Sequence, residues 1–160
     1  MDVNQVGDRG GCKVHTKAGL VTGGDASNIT INTANVINFT VDGVMYAKAI
    51  LNNVAFSSGH TALAAGQECI FGVWVNSGGN VSTTQGKIVA TADLSVASGG
   101  TGKTVVPMPD VISANALIGL IKVKTAGAAV FTPGTTAFNA TNVTATFYDT
   151  SSMPTAPLAS

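Results

Sequence analysis

One glycine-rich run has the residue types and spacing that could bind a phosphate. Residues 97–104 read Ala-Ser-Gly-Gly-Thr-Gly-Lys-Thr, which follows the Gly-x-x-x-x-Gly-Lys-Thr spacing except that Ala97 replaces the first glycine. In a loop of this kind, backbone N–H groups and the N-terminus of the next helix hold the phosphates. The lysine, here Lys103, would reach the terminal phosphate oxygens.

The residues after Lys103 argue against that chemistry. The run continues Val-Val-Pro-Met-Pro, and Pro107 and Pro109 interrupt the helix that a phosphate loop requires. No strand–helix–strand pattern surrounds the run, and Asp149 lies too near the chain's end to be a convincing Mg²⁺ ligand. We therefore expect an ordinary Gly/Ser loop between strands.

The other candidates for chemistry are scattered. The seven Asp and the one Glu form no acid/base pair in the sequence, and no Gly-x-Ser-x-Gly nucleophile motif is present. Cys12 and Cys69 are too far apart for a Cys-x-x-Cys site and are expected to be single buried thiols. His15 with Cys12 could form half a metal site, but a second pair is missing, and His60 is isolated. The sequence predicts no catalytic, cofactor-binding or metal-binding residues, and so no enzyme.

The composition indicates a protein that works within an assembly. Charged residues make up 10% of the 160-residue chain, against roughly 25% in ordinary soluble domains, and the formal net charge is zero. Such a surface opposes self-association weakly; the alternative is a monomer solvated by Thr and Asn. Nucleic acid is not an expected partner because the eight basic residues are not clustered. A membrane is not expected either, since no apolar run nears about 18 residues and the N-terminus lacks a signal-peptide core.

Alternating apolar residues predict short antiparallel strands. Near the end of residues 116–149, Val143, Ala145 and Phe147 alternate with polar residues. In residues 120–124, Ile121 and Val123 lie on one face of the predicted strand, and the two lysines at 122 and 124 lie on the other. Pro133-Gly134 between these segments fits a type II turn.

The clearest local signal is Asp42-Gly43, which lies between two β-type runs. This dipeptide favours a type I′ hairpin turn, with Ile37, Phe39 and Val41 on one face of the first strand. Further strands are predicted at residues 28–31, 68–75, 81–90 and 91–96, and single helical turns at 61–66 and 111–115. Trp74 is expected in the core or in a subunit contact rather than in a ligand platform.

These elements define one all-β domain with two extensions. Residues 26–150 are predicted to form an antiparallel β-sandwich or jelly roll of roughly eight short strands. The Gly-rich residues 1–25 are expected to be an extended arm rather than core, either ordered by a partner or disordered. The Pro-punctuated residues 151–160 form a C-terminal tail.

Three runs near the C-terminus carry a family resemblance. Residues 117–124 (Leu-Ile-Gly-Leu-Ile-Lys-Val-Lys), 131–136 (Phe-Thr-Pro-Gly-Thr-Thr) and 142–149 (Asn-Val-Thr-Ala-Thr-Phe-Tyr-Asp) resemble the C-terminal part of small virion proteins of tailed bacteriophages, namely capsid decoration (cement) proteins and head-fibre proteins. The likeness covers about the last quarter of the chain. It implies a β-rich domain, commonly a trimer, that binds the outside of an assembled capsid, and it brings no catalytic residues.

The functional hypothesis that follows is a non-enzymatic virion structural protein. It would be assembled in the host cytoplasm as a homo-oligomer, with a trimer favoured, and would bind the major capsid protein without any cofactor. The alternative is a receptor- or glycan-binding fibre or adhesin module of a virion. That alternative needs aromatic residues on exposed loops, whereas Trp74, Tyr46 and Tyr148 lie within strand patterns.

Overall fold

The regular secondary structure of the described chain is almost entirely antiparallel strand. The computed structural model describes residues 11–24, 30–94 and 105–150, and this part is nearly all β, which confirms the predicted all-β class. The strands are β1 (Lys13–Val14), β2 (Leu20–Thr22), β3 (Ile31–Thr33), β4 (Ile37–Val41), β5 (Val44–Lys48), β6 (Gln67–Asn76), β7 (Val81–Gln85), β8 (Val89–Ala90), β9 (Asn115–Thr125) and β10 (Val143–Asp149). They form a β1-β4-β5 sheet, a β10-β9-β6-β7 sheet whose β6 also pairs with β8, and a β2-β3 pair.

The β4–β5 hairpin has the predicted turn. Asp42 and Gly43 have φ values of 50° and 81°, so both central residues are left-handed, as a type I′ turn requires. Ile37, Phe39 and Val41 are all buried on one face, because a strand places alternate side chains on the same side.

The β6–β9 pair forms the centre of the larger sheet. The two strands run antiparallel from Glu68↔Lys124 to Asn76↔Asn115, with one irregularity between Val73 and Trp74. Both strands are buried along nearly their whole length, on both faces. The half-buried strand predicted at residues 120–124 is therefore wrong in one respect: Lys122 is only 5% exposed.

Aromatic side chains from loops fill the core beside β6. Phe56 lies edge-on to Phe71 of β6 at a centroid distance of 5.1 Å, and Phe131 and Phe138 stack at 5.8 Å. Leu63 and Phe131 are joined by an isolated antiparallel bridge, which ties the two loops together. Rings in these offset and edge-to-face arrangements add to the stability from their burial.

Residues 11–24 belong to the fold, although the sequence indicated an arm. Leu20 of β2 is buried, and its Cδ1 would lie 2.1 Å from a Cβ at Gly119, so β2 crosses β9 where a side chain is missing. Opposite Gly119 in the register, Asp149 accepts hydrogen bonds from the N–H groups of Gly19 (2.7 Å) and Leu20 (3.1 Å). In the sequence, β2 appears only as a short apolar run. Such a run does not identify a core strand, because its burial depends on residues far along the chain.

Three local predictions are wrong. Residues 91–96 were predicted as a strand, but Thr91–Asp93 forms one 3-10 turn. Residues 111–115 lead through a turn, with Ala114 at φ 55°, into β9 rather than forming a helical turn. Residues 61–66, predicted as a helical turn, instead contain the Leu63 bridge to Phe131 and a turn.

The predicted Pro-Gly turn is confirmed, and several other predictions concern residues outside the described ranges. The turn at Pro133-Gly134 is present, with Gly134 at φ 76° and the Thr135 N–H donating to the Thr132 carbonyl at 3.0 Å. The phosphate-loop-like run at 97–104, residues 1–10 of the arm and the tail at 151–160 lie outside the described residues.

Neighbouring residues on β2 test whether this segment is core. Leu20→Ala should lower the free energy of unfolding by about 2–5 kcal/mol, because it removes a buried side chain and leaves a cavity. Val21→Ala is the matched control: Val21 is 46% exposed, and its loss should change stability by no more than about 0.5 kcal/mol. Chemical denaturation measures both, and a Leu20→Ala protein as stable as the control would show that residues 11–24 are not core.

Candidate functional site

The most concentrated charge in the described chain is an ionic cluster on β6 and β9, centred on a buried carboxylate. Glu68 is fully buried; its Oε2 lies 3.1 Å from the Lys122 Nζ, and its Oε1 lies 3.3 Å from the Lys124 Nζ. Glu68 is opposite Lys124 in the register, and Lys122 lies two residues away on the same face. A carboxylate held in this way by two lysines cannot reach a substrate, so the cluster neutralises buried charge rather than performing acid/base chemistry.

The two histidines take different positions. The His60 Nε2 lies 2.8 Å from the Thr83 Oγ1, and its ring packs against Phe56 and Phe71. Burial lowers the pKa of His60 from its usual value of 6.5, because the charged imidazolium loses hydration. His15 is exposed, and its Nε2 contacts the Thr40 Oγ1.

The cysteines are unlike each other. Cys69 is buried, its Sγ lies 3.2 Å from the Gly86 carbonyl oxygen, and burial raises the pKa of its thiol to about 11. Cys12 is half-buried, and its Sγ lies 4.0 Å from the Asp42 Oδ1. Both are free thiols. Within the described ranges, no three His, Cys, Asp or Glu side chains group closely enough to hold a metal ion.

An apolar cleft of about 500 Å³ opens beside Trp74. The Trp74 indole lies across Gly72, and its Nε1–H donates to the Thr84 Oγ1 at 2.7 Å. In this position Trp74 is only 4% exposed. Segment 105–114 lies along this side of the sheet, with Pro109 Cγ 3.0 Å from the position of a Cβ at Gly72. This geometry explains why β6 has a glycine here: a side chain would displace both the indole and the proline.

The walls of the cleft are almost entirely apolar. Met108 is 46% exposed and Val111 is 80% exposed, while Leu117 is half-buried. The polar lining residues are Ser113 and Asn115, and the Asn115 amide donates to the Ser113 carbonyl at 2.7 Å. Sites for small metabolites combine apolar walls with several convergent polar groups. This cleft offers an apolar surface with few hydrogen-bonding groups.

A second exposed apolar surface follows β5. Val44 is 54% exposed and Met45 is 67% exposed, and among the described strands β5 has a partner on one side only. Tyr46, the next residue of β5, is half-buried, and its ring stacks on the Phe39 ring at a centroid distance of 5.7 Å. A strand edge with apolar side chains is a surface on which another chain can pair.

The structure gives the positions of the aromatic residues considered in the sequence. Trp74 is buried, which agrees with the expectation of a core or contact residue, and Tyr148 is half-buried. The sequence analysis predicted neither the Trp74 cleft nor the open edge of β5. The apolar, proline-containing residues 105–112 were a signal for an exposed apolar segment, but their position over β6 is a long-range contact. No helix in the described ranges is long and apolar enough to cross a membrane.

The thiols provide one test of these environments. In the native protein, a thiol reagent at pH 8 should modify Cys12 and spare Cys69, because Cys69 is buried and little thiolate forms so far below its pKa of about 11. Peptide mass analysis identifies the labelled residue, and labelling in denaturant serves as the control. Equal rates at both cysteines in the native protein would contradict the assigned burial of Cys69.

Burial of His60 predicts a dependence of stability on pH. The unfolded chain binds a proton at His60 near pH 6.5, whereas the folded chain does so only at lower pH. The contribution of neutral His60 to the free energy of unfolding is therefore present above pH 6.5 and is lost as the pH falls below it. His60→Gln should reduce this loss between pH 7 and pH 5. His15→Gln at an exposed position is the matched control and should retain the loss. Urea unfolding across this range measures it, and identical pH profiles for the unmodified and His60→Gln proteins would refute it.

Comparison of the chain with protein families, with curated protein sequences and with solved structures gave no match in any of the three.

Proposed function

We propose that this chain is a non-enzymatic structural protein of a phage virion, which binds the outside of the capsid and stabilises or decorates it. The observation that carries the proposal is the exposed apolar rim of the Trp74 cleft, formed by Met108 and Val111. Val105, on the same segment, is 71% exposed. The resemblance of the C-terminal runs to phage decoration and head-fibre proteins supports the same conclusion.

The proposed architecture is a β-sandwich. The β1-β4-β5 sheet would form one layer and the sheet centred on β6 and β9 the other. In support, Phe39 of β4 shares one buried cluster with Phe71 of β6 and Ile121 of β9, and β4 comes into contact with β9. Such a rigid body would present the cleft at a fixed position to the capsid.

Apolar burial would supply the driving force for capsid binding. Each Å² of apolar surface removed from water contributes about 25 cal/mol, from which the cost of ordering the interface is subtracted. The zero net charge and the 10% charged residues mean that electrostatic repulsion opposes the contact little. The proposed partner is the major capsid protein, and the working form is a homo-oligomer located in the virion.

The second candidate, a receptor- or glycan-binding fibre module, has less support. Such modules commonly present aromatic rings to their ligands, but here Trp74 is 4% exposed and its N–H is engaged by Thr84. Tyr46 and Tyr148 are half-buried. The apolar rim offers aliphatic and thioether groups, which pack against protein rather than hydrogen-bond a sugar.

The test uses heads of the encoding phage prepared without this protein. Adding the purified protein should restore density on the outer surface in electron micrographs. The double variant Met108→Asp/Val111→Asp should bind at least about tenfold more weakly, because it places two charges in an apolar contact. Val130→Asp is the matched control, since Val130 is 54% exposed on another loop, and it should bind normally.

Two results would overturn this proposal. One is equal capsid binding by the double variant and the unmodified protein, with both folded by circular dichroism. The other is the absence of unmodified protein from the capsid surface together with its binding to host-cell glycans, which would favour the fibre-module candidate.

A further inference from the structure

The open edge of β5 carries backbone groups in a defined pattern. A two-residue turn at Asp42-Gly43 makes Val41 and Val44 a hydrogen-bonded pair, and such pairs alternate along an antiparallel ladder. Tyr46 and Lys48 therefore also bond to β4. The N–H and C=O groups of Met45 and Ala47 point the other way, towards the edge that has no partner among the described strands.

Hydrogen bonds on the far side of β4 agree with this assignment. Asn38, which is opposite Ala47, accepts at its carbonyl from the His15 N–H at 2.8 Å. The Asn38 N–H donates to the Thr16 Oγ1, also at 2.8 Å. Because Asn38 turns both backbone groups towards β1, Ala47 must turn both of its own outwards.

We propose that a second copy of this chain pairs with β5 across this edge, antiparallel, about a two-fold axis at Tyr46. In this register Met45 is opposite Ala47 of the other copy, and these are the two residues with outward-facing groups. All five residues of β5 are then paired, whereas axes at Met45 or Ala47 pair only three. The two tyrosines meet at a non-hydrogen-bonded position, where cross-strand side chains are closest and aromatic pairs are favourable.

Side-chain chemistry is complementary in the same register. Lys48 is opposite Val44 of the other copy, so the two lysines do not face each other. The Lys48 of one copy lies diagonal to the Asp42 of the other, within reach of a long side chain. Val44 and Met45, exposed by 54% and 67%, each gain a cross-strand neighbour from the other copy. An isologous contact of this kind closes on itself and gives a dimer rather than a fibre.

This inference deepens the proposed function, because it names the self-association of the proposed virion protein. It predicts a dimer as the unit, whereas the family resemblance implies a trimer. It uses β5 and not the Trp74 cleft, so the two proposals fail separately. Variants of the β5 edge should lose self-association, and the Met108→Asp/Val111→Asp variant should keep it.

The first experiment blocks the edge without disturbing the hairpin. Sedimentation equilibrium of the full chain at ~50 μM should give twice the 16.0 kDa of one chain. Ala47→Pro should give the single-chain mass, because proline removes only an outward N–H, as proline does at strand edges. Met45→Lys provides a second edge variant, since lysine disfavours edge pairing, and Val130→Lys is its control. A trimer whose mass none of these changes alters, or a monomeric unmodified chain, would overturn the proposal.

The second experiment tests the register. On a Cys12→Ser background, Tyr46→Cys should form a disulfide-linked dimer under mild oxidation, since Cα atoms about 4.5 Å apart fit disulfide geometry. Val44→Cys is the control, because its two copies would be offset by four residues, roughly 13 Å, and should not cross-link. Each variant's fold is checked by circular dichroism. Efficient cross-linking at Val44→Cys with none at a folded Tyr46→Cys would refute the two-fold axis.

Discussion

The pairing of β6 with β9 is the constraint on which the rest of this structure depends. Both strands are buried on both faces, so each face needs its own cover. On one face, Phe71, Val73 and Ile121 belong to the main core cluster. On the other, Trp74 lies across Gly72, and Pro109 packs beside it. Segment 105–114 thus contributes a cover for the sheet, and the cleft lies where that cover meets Trp74.

Glu68 and its two lysines belong to the same constraint. Burying Glu68 and Lys122 costs hydration, and apolar replacements for buried ion pairs are often equally stable. We infer that the cluster instead specifies the register. A slip of one residue would turn Glu68 towards the face that holds Cys69 and Phe71, where it would lose both lysines. The cluster therefore disfavours the alternative pairing more than it stabilises the observed one.

The surface left over explains why assembly is the proposed role. Inside the protein, the aromatic cluster around Phe56 fills the core beside β6, and both faces of the central β6–β9 pair are covered. Within the described ranges, exposed apolar side chains nevertheless group at the rim of the Trp74 cleft and at the edge of β5, apart from single exposed residues such as Val21 and Val130. With so few charged residues to keep copies apart, two such surfaces allow one contact with a partner protein and another between copies of the chain.

The sequence by itself determined the features that depend on neighbouring residues. Alternation at Ile37, Phe39 and Val41 predicted a buried strand face, and Asp42-Gly43 predicted the hairpin, because turn conformation and side-chain alternation are local properties. Contacts between distant residues were decided only by the tertiary structure. Leu20 becomes core because Gly119 leaves room for its side chain and because Asp149, 129 residues away, accepts a hydrogen bond from its N–H. Lys122 is buried because Glu68 lies beside it on the paired strand. The cleft and the open β5 edge could not be predicted either, since a surface exists only once the strands that cover or leave it are in place.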